Sequence, residues 1–205
     1  MCMEYPGYGL YVEGDGLTQK QSRSKQIQKD AETVFQFIRD RCNVPESNIL
    51  LMGRSIGSGP ACHLASQYLK ARGLILVSPI KSVKEVAKQN YGRIVDLLIE
   101  ERFNNFEVAR KIRCPVLVYH GLKDTMVPYQ HSIEMLIDGF TQCKAHMFLR
   151  QDMEHNKFDY INDIIRPMKY FLRINKILNT RKKKILTARE VVNLRKEGYV
   201  DKKAQ

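Results

Sequence analysis

The sequence has little of what membrane-spanning, secreted and metal-binding proteins depend on. No apolar run approaches the roughly 18 residues that a membrane-spanning helix needs. The first residues carry neither the basic flank nor the apolar stretch of a signal peptide. The five cysteines stand singly, without the spacing of a metal site or the even number of a disulfide framework. We therefore expect a cytoplasmic protein that uses neither a metal nor an organic cofactor.

Positive charge is in excess, and most of it lies at the C-terminal end. The formal net charge is +12, and residues 173–205 hold eleven Lys or Arg against three Asp or Glu. The basic run 181–184 is followed by Ile185 and Leu186, a pattern that favours peripheral contact with an anionic membrane. No aromatic-interleaved basic stretch points to nucleic acid. A solvated tail without a specific partner is the alternative interpretation.

Short apolar runs alternate with stretches of helical periodicity. This order predicts an α/β domain with a mostly parallel sheet flanked by helices. The runs that predict strands are 49–52, 73–77, 115–119 and 145–149. The periodic stretches that predict helices are 24–38, 61–69, 130–140 and 161–171. The run at 49–52 is expected to be buried on both faces, as in the middle of a parallel sheet.

Two parts of different character are predicted. Residues 1–178 form the α/β domain, in which the less periodic segment 81–112 is interpreted as a small lid. Residues 179–205 form the basic tail. A capping box at Thr187-Ala188-Arg189-Glu190 and a C-cap at Gly198 predict a short helix within that tail.

The motif Gly53-Arg54-Ser55-Ile56-Gly57 follows a predicted strand and precedes a predicted helix. This strand-turn-helix setting is that of the nucleophile elbow of α/β-hydrolases, in which the serine hydroxyl is exposed above the sheet. A serine turn without catalysis is the alternative, because Gly-x-Ser-x-Gly alone is a weak signal. The context favours Ser55 as a nucleophile.

A serine nucleophile needs a base to take its proton and an acid to orient that base. In this fold the order along the chain is Ser, then Asp or Glu, then His. Asp124 follows the third predicted strand and His155 follows the fourth, so both are expected at the same sheet edge as Ser55. The other candidates are less suitable by their positions: His63, His120, His131, His146, Asp152 and Asp159.

Several motifs together resemble the alpha/beta-hydrolase domain-containing 17 group, over about residues 1–178. They are Glu4-Tyr5-Pro6-Gly7-Tyr8-Gly9, the run from Gly53 to Pro60, Ser78-Pro79, His120-Gly121-Leu122-Lys123-Asp124 and His155-Asn156. Members of that group are serine hydrolases that remove palmitate from cysteines of membrane-associated proteins. The resemblance therefore implies an α/β-hydrolase fold and an acylated protein or lipid as substrate.

The chain departs from this group at its N-terminal end. Members begin with strands that this sequence lacks. One of these strands ends in a His-Gly-Asn segment, which supplies one of the two backbone amides of the oxyanion hole. The other oxyanion-hole amide is expected to be the backbone N–H of Ile56. Only the end of one early strand, residues 1–5, is expected here, so the resemblance predicts an N-terminally truncated hydrolase with a gap beside the elbow. The chain is interpreted either as a fragment of an ordinary enzyme or as a short product that closes the gap by direct strand pairing and has weak or no activity.

Three functional hypotheses follow. The first is a serine hydrolase that cleaves an acyl ester or thioester, with palmitoyl-protein hydrolysis as the specific form. The second is a peptidase or lipid esterase, because the same triad serves amides and esters. The third is an inactive hydrolase that acts as an interaction module through its basic tail.

Overall fold

Four parallel strands lie side by side in the order in which they occur in the chain. In this computed structural model, the structure is described for residues 1–8, 24–92, 100–177 and 199–201. The parallel strands are β1 Leu50–Arg54, β2 Gly73–Val77, β3 Val116–Gly121 and β4 Ala145–Arg150. Each coincides with one of the apolar runs, which confirms the predicted mostly parallel sheet.

A short fifth strand was not predicted. β5, Tyr199–Asp201, pairs antiparallel with β4 at the far edge of the sheet. It therefore places one segment of the predicted tail against the domain. The capping box at Thr187 and the proposed C-cap at Gly198 lie outside the described residues.

Helices flank the sheet, as the periodicity predicted. They are α1 Ser24–Gln36, α2 Ser58–Gln67, α3 Val83–Tyr91, α4 Asn105–Ala109, α5 Gln130–Glu134 and α6 Arg166–Ile174. Turns with π-helical hydrogen bonding follow α1 and α5 and precede α6, at Phe37–Arg41, Met135–Gly139 and Tyr160–Ile165. No described helix is long and apolar enough to cross a bilayer.

The core lies on both faces of the sheet. Alternate residues of the two central strands point to opposite faces. On one face, Leu76 and Val118 pack with side chains of α2 and α5. On the other, Ile75 and Leu117 pack with Phe171 of α6. All residues of β2 and β3 are buried, as the continuous apolar runs predicted.

β1 differs from the other parallel strands, and the prediction that residues 49–52 are buried on both faces is wrong. In the described part of the chain β1 pairs with β2 alone, and Met52 is 53% exposed. A cleft of about 680 Å³ lies along β1, between that strand, α1 and residues 1–5. Residues 1–5, expected as the end of a strand, form none.

The segment 81–112 contains two capped helices where it is described. The Ser82 hydroxyl accepts the Glu85 amide at 3.1 Å, and the Asn104 side chain accepts the Glu107 amide at 3.2 Å. Such caps satisfy backbone groups that a helix leaves unpaired at its start. Residues 93–99 of the predicted lid lie outside the described residues.

Candidate active site

Ser55 stands at a sharp turn between strand and helix. β1 ends at Arg54, a 3₁₀ turn covers Ser55–Gly57, and α2 begins at Ser58. The backbone of Ser55 has φ 52°, in the left-handed region that costs a side-chain-bearing residue about 1–2 kcal/mol. This is the strained geometry expected of a nucleophile elbow.

The turn needs glycine at position 53 because β1 and α2 approach each other closely there. A Cβ added at Gly53 would lie 2.4 Å from the Gly57 carbonyl oxygen and 2.8 Å from the Ala61 Cβ. Either distance is too short for a side chain without movement of the helix. The first glycine of the motif is thus explained by packing.

The structure brings the three predicted site residues together. His155 Nε2 lies 3.0 Å from Ser55 Oγ, and His155 Nδ1 lies 2.7 Å from Asp124 Oδ2. His155 is 7% exposed and Asp124 6% exposed, whereas Ser55 is half-buried. A serine at the surface is therefore connected through an imidazole to a buried carboxylate, which is the arrangement that activates a serine hydroxyl.

Asp124 is held in its ionised form by several hydrogen bonds. Its Oδ1 accepts the backbone amides of Met126 at 3.0 Å and Val127 at 2.9 Å. Burial alone would raise the pKa of this carboxyl, but hydrogen bonds from His120, His155 and the Val127 amide outweigh it. The pKa of Asp124 consequently lies well below its usual range.

His120, for which a packing role was the sequence interpretation, has buried polar contacts next to the acid. Its Nε2 donates to the Val127 carbonyl at 2.8 Å and lies 3.4 Å from Asp124 Oδ2. Its Nδ1 accepts the Ser132 hydroxyl at 2.6 Å. His120 thus connects α5 to the carboxylate side of the site. The only sequence signal for this role was the position of His120, four residues before Asp124 and at the end of β3.

A second buried network ties the elbow to the lid segment. The Ser58 hydroxyl donates to the Ser55 carbonyl at 2.6 Å and accepts from the Ile80 amide and from Asn105 Nδ2, at 3.2 and 3.0 Å. Asn105 also donates to the Ile80 carbonyl at 2.9 Å. Ser58 and Asn105 were not identified from sequence, because nothing in a linear pattern joins positions 47 residues apart.

Ile56, the predicted oxyanion donor, follows Ser55 in the 3₁₀ turn that leads into α2. Its backbone amide stands at the N-terminal end of a ten-residue helix, where the helix dipole favours negative charge. Its side chain is 46% exposed. Within the described ranges, no group of His, Cys, Asp and Glu could hold a metal ion.

The sheet, the elbow and the Ser55–His155–Asp124 contacts define the class: the chain has the α/β-hydrolase fold. Acetyl xylan esterase 1 from a Thermoanaerobacterium species superposes with a TM-score of 0.57 at 21% identity, covering 82% of this chain and 60% of its own. Est1E from Butyrivibrio proteoclasticus superposes at 0.56 with 18% identity, covering 74% and 70%. At these identities the likeness concerns the fold.

Within that class the chain is similar to alpha/beta hydrolase domain-containing 17 proteins, which confirms the resemblance of its motifs. The mouse 17C protein is 30% identical over 144 residues, or 66% of this chain and 44% of that protein. The human 17B protein is 25% identical over 171 residues, or 82% and 54%. The chain thus spans about half the length of these curated relatives. No family model matches the sequence.

Proposed function

We propose that this protein is a serine hydrolase that cleaves acyl esters or thioesters through a covalent acyl-enzyme. The observation that carries the proposal is the chain of hydrogen bonds from Ser55 through His155 to Asp124, at 3.0 and 2.7 Å. The similarity to the domain-containing 17 proteins supports a hydrolase.

The proposed chemistry follows from these contacts. Ser55 Oγ attacks the acyl carbon while His155 Nε2 takes its proton, and the Ile56 amide donates to the oxygen that becomes negative. The ionised Asp124 stabilises the imidazolium and holds its tautomer. The imidazolium then protonates the departing alcohol or thiol. Water, activated by the same imidazole, releases the acid and frees Ser55.

The proposed substrate is an acylated protein or lipid, with a palmitoyl thioester as the specific candidate. This rests on the motif resemblance to depalmitoylating hydrolases and on the similarity to their curated relatives. Ser55 is half-buried, whereas Asp124 and His155 are buried, so the serine alone of the three reaches the surface, which suits an acyl group carried by a protein. A cytoplasmic location with peripheral membrane contact through the basic tail belongs to the same proposal.

A peptidase remains the second candidate, because solved structures of this fold include peptidases as well as esterases. A puromycin-hydrolysing peptidase of Mycobacterium tuberculosis superposes with a TM-score of 0.59 at 14% identity, covering 72% of this chain and 25% of its own. A fold shared at this identity does not select the bond that is cleaved. Substrate comparison has to decide between them.

The test is covalent labelling of the 205-residue chain with a fluorophosphonate probe. We expect labelling of the wild type and at least about 10³-fold slower labelling of Ser55→Ala. Ser66→Ala is the matched control, because Ser66 lies on α2 and bonds the His63 carbonyl at 2.7 Å, away from the triad. Absence of labelling that depends on Ser55 would reject the proposal and leave an inactive interaction module.

The substrate class is tested on the same proteins. We expect the wild type to hydrolyse an S-palmitoyl cysteine peptide and p-nitrophenyl esters, and to leave the corresponding peptide bonds intact. Faster cleavage of peptide amides than of thioesters would instead establish the peptidase.

The membrane contact is tested by liposome sedimentation with phosphatidylserine vesicles. Lys182, Lys183 and Lys184 are changed together to Gln, which leaves β5 in place. We expect wild-type binding to weaken with salt and the triple variant to bind less. Equal binding by the two proteins would reject a role for the tail.

A further inference from the structure

Arg54 occupies a variable position of the elbow motif, and its contacts reach across the molecule to the histidine loop. It is the last residue of β1, directly before Ser55. Its Nη2 donates to the His155 carbonyl oxygen at 2.5 Å and to Asn156 Oδ1 at 2.7 Å. Its guanidinium carbon lies 5.5 Å from the centre of the Phe158 ring. One side chain thus contacts three residues of a single loop.

Arg54 is an exposed residue, but its bond to the His155 carbonyl is partly buried and its donor is charged. A charged donor makes hydrogen bonds about twice as strong as a neutral one. One Nη2 carries two hydrogens, and both have an acceptor in the loop. A guanidinium within about 6 Å of an aromatic ring centre adds a cation–π attraction. The planar group therefore fixes the loop in position and in orientation.

The loop needs such support because it has no regular structure. Residues 151–159, between β4 and the π-helical turn, form neither helix nor strand. Before His155, the loop is held where buried Met153 packs on Gly121 and its carbonyl accepts the Lys123 amide at 3.3 Å. After His155, it is held by Arg54. The two attachments lie on either side of the histidine along the chain.

We propose that Arg54 is a positioning residue that fixes His155 relative to Ser55. Because Arg54 and Ser55 are consecutive, the end of β1 that positions Ser55 also positions the loop that carries His155. The Ser55 Oγ–His155 Nε2 distance of 3.0 Å then depends on the contacts of one side chain with the loop. This inference rests on the proposed serine-hydrolase function for its kinetic consequence, whereas its structural consequence can be tested alone.

The kinetic test compares Arg54→Met, Arg54→Lys and wild type on p-nitrophenyl butyrate. We expect Arg54→Met to lower kcat about 10- to 100-fold with KM within about 2-fold, because displacement of a catalytic group by about 1 Å costs up to 10²-fold. Arg54→Lys keeps a charged donor and should recover at least half of that loss on a logarithmic scale. A raised KM with unchanged kcat would show that Arg54 binds substrate and overturn the inference.

The matched control is Arg72→Met. Arg72 also donates from Nη2 to a distant backbone carbonyl, that of Lys176, at 2.8 Å. It precedes β2, at the opposite end of the sheet from Ser55. We expect Arg72→Met to leave kcat and KM within about 2-fold of wild type. An equal loss of kcat in the Arg54 and Arg72 variants would show a general structural effect and reject positioning.

The structural test is amide hydrogen exchange of the loop, read without any substrate. Arg54→Met should exchange faster at residues 153–158 than wild type and Arg72→Met, with its core strands unchanged. Unchanged exchange in that loop would overturn the inference even if the enzyme is active. Conversely, faster loop exchange in a protein without Ser55-dependent activity would retain the positioning role and reject only the proposed function. If Arg54→Met does not fold, Arg54→Lys carries both readouts.

Discussion

The two sides of Ser55 are built differently. On one side the sheet continues through β2, β3 and β4, all of β2 and β3 is buried, and loops from the strand ends bring Asp124 and His155 to the serine. On the other side, among the described residues, β1 has no strand partner, and Met52 faces a cleft. In the proposed mechanism, the residues that activate the nucleophile all come from the side of β2, β3 and β4, which we call the covered side.

This difference matters for the chemistry because a serine hydrolase needs both proton transfer and stabilisation of the oxyanion. In the proposed mechanism, the covered side supplies proton transfer through the contacts of Ser55, His155 and Asp124. Stabilisation of the oxyanion normally uses two donors, and loss of one costs about 10²- to 10³-fold in rate. The Ile56 amide is predicted to be one donor, and the sequence resemblance implies a second from a strand beside β1.

The largest expected effect tests the covered side directly. Asp124→Asn should lower kcat about 10³- to 10⁴-fold, because an amide cannot hold the required imidazole tautomer. The amide oxygen can still accept the Met126 and Val127 amides, so the turn should survive. Ester hydrolysis under saturating substrate measures the effect.

Asp152→Asn is the control for that change. Asp152 lies three residues before His155, and its exposed carboxylate pairs with Lys123 at 2.8 Å. Exposed pairs of this kind contribute little, so we expect activity within about 2-fold of wild type. A loss in Asp152→Asn that matches the loss in Asp124→Asn would contradict the assignment of the acid.

A smaller effect compares the two sides at equivalent positions. Met52 and Ile75 are register partners on β1 and β2, but only Ile75 is fully buried. Ile75→Ala should lower the free energy of unfolding by about 2–5 kcal/mol. Met52→Ala, on the exposed edge, should cost less than about 1 kcal/mol. Urea unfolding of both variants measures the difference. A cost for Met52→Ala close to that of Ile75→Ala would mean that this edge is covered in solution.

The smallest expected effect concerns a buried histidine on the covered side. His131 is 1% exposed; its Nδ1 accepts the Lys81 amide at 3.0 Å and its Nε2 donates to Gln89 at 2.8 Å. Burial lowers the pKa of His131 to about 4, although the carboxylates of Glu134 and Glu85 act in the opposite direction. The folded protein therefore binds the proton less readily than the unfolded chain, whose histidine has its ordinary pKa of about 6.5.

The sign of the pH effect follows from linkage. The contribution of His131 to stability is complete above pH 6.5 and falls as pH drops toward 4, because the unfolded chain takes up the proton first. By pH 5 the loss is on the order of 2 kcal/mol. His131→Gln should remove this part of the slope in urea unfolding between pH 7.5 and 5. Identical slopes in the two proteins would show that the imidazole is not neutral and buried in solution.

Much of the covered side could be predicted from the sequence, because its strands and predicted site residues are recognised from short stretches of the chain. Buried parallel strands give continuous apolar runs, and site residues follow their carboxyl ends, so Ser55, Asp124 and His155 could be found by position. The exposure of Met52 could not be found in this way. An apolar run does not reveal whether its strand has one neighbour or two.

The supporting contacts were also beyond sequence reasoning. Arg54 forms a hydrogen bond with a residue 101 positions away, and Ser58 forms one with Asn105, 47 positions away. Such pairs are brought together by the topology of the whole sheet, and neither residue type is unusual at its position. The antiparallel β5 was missed because its three residues lie in a stretch dominated by charge.

The elbow motif combines a constraint from folding, at Gly53, with a constraint from the proposed chemistry, at Ser55. Substituting each position in turn would separate the two. A side chain at Gly53 would collide with the Gly57 carbonyl and with Ala61, so glycine there is required for folding whether or not the protein turns over substrate. Ser55 has an unfavourable φ of 52° and is the proposed source of the reacting hydroxyl. Its replacement by glycine should relax the backbone and stabilise the protein as activity disappears. A descendant freed from catalysis would therefore keep the glycine at 53, which the fold requires, and lose the serine at 55, which only the chemistry requires.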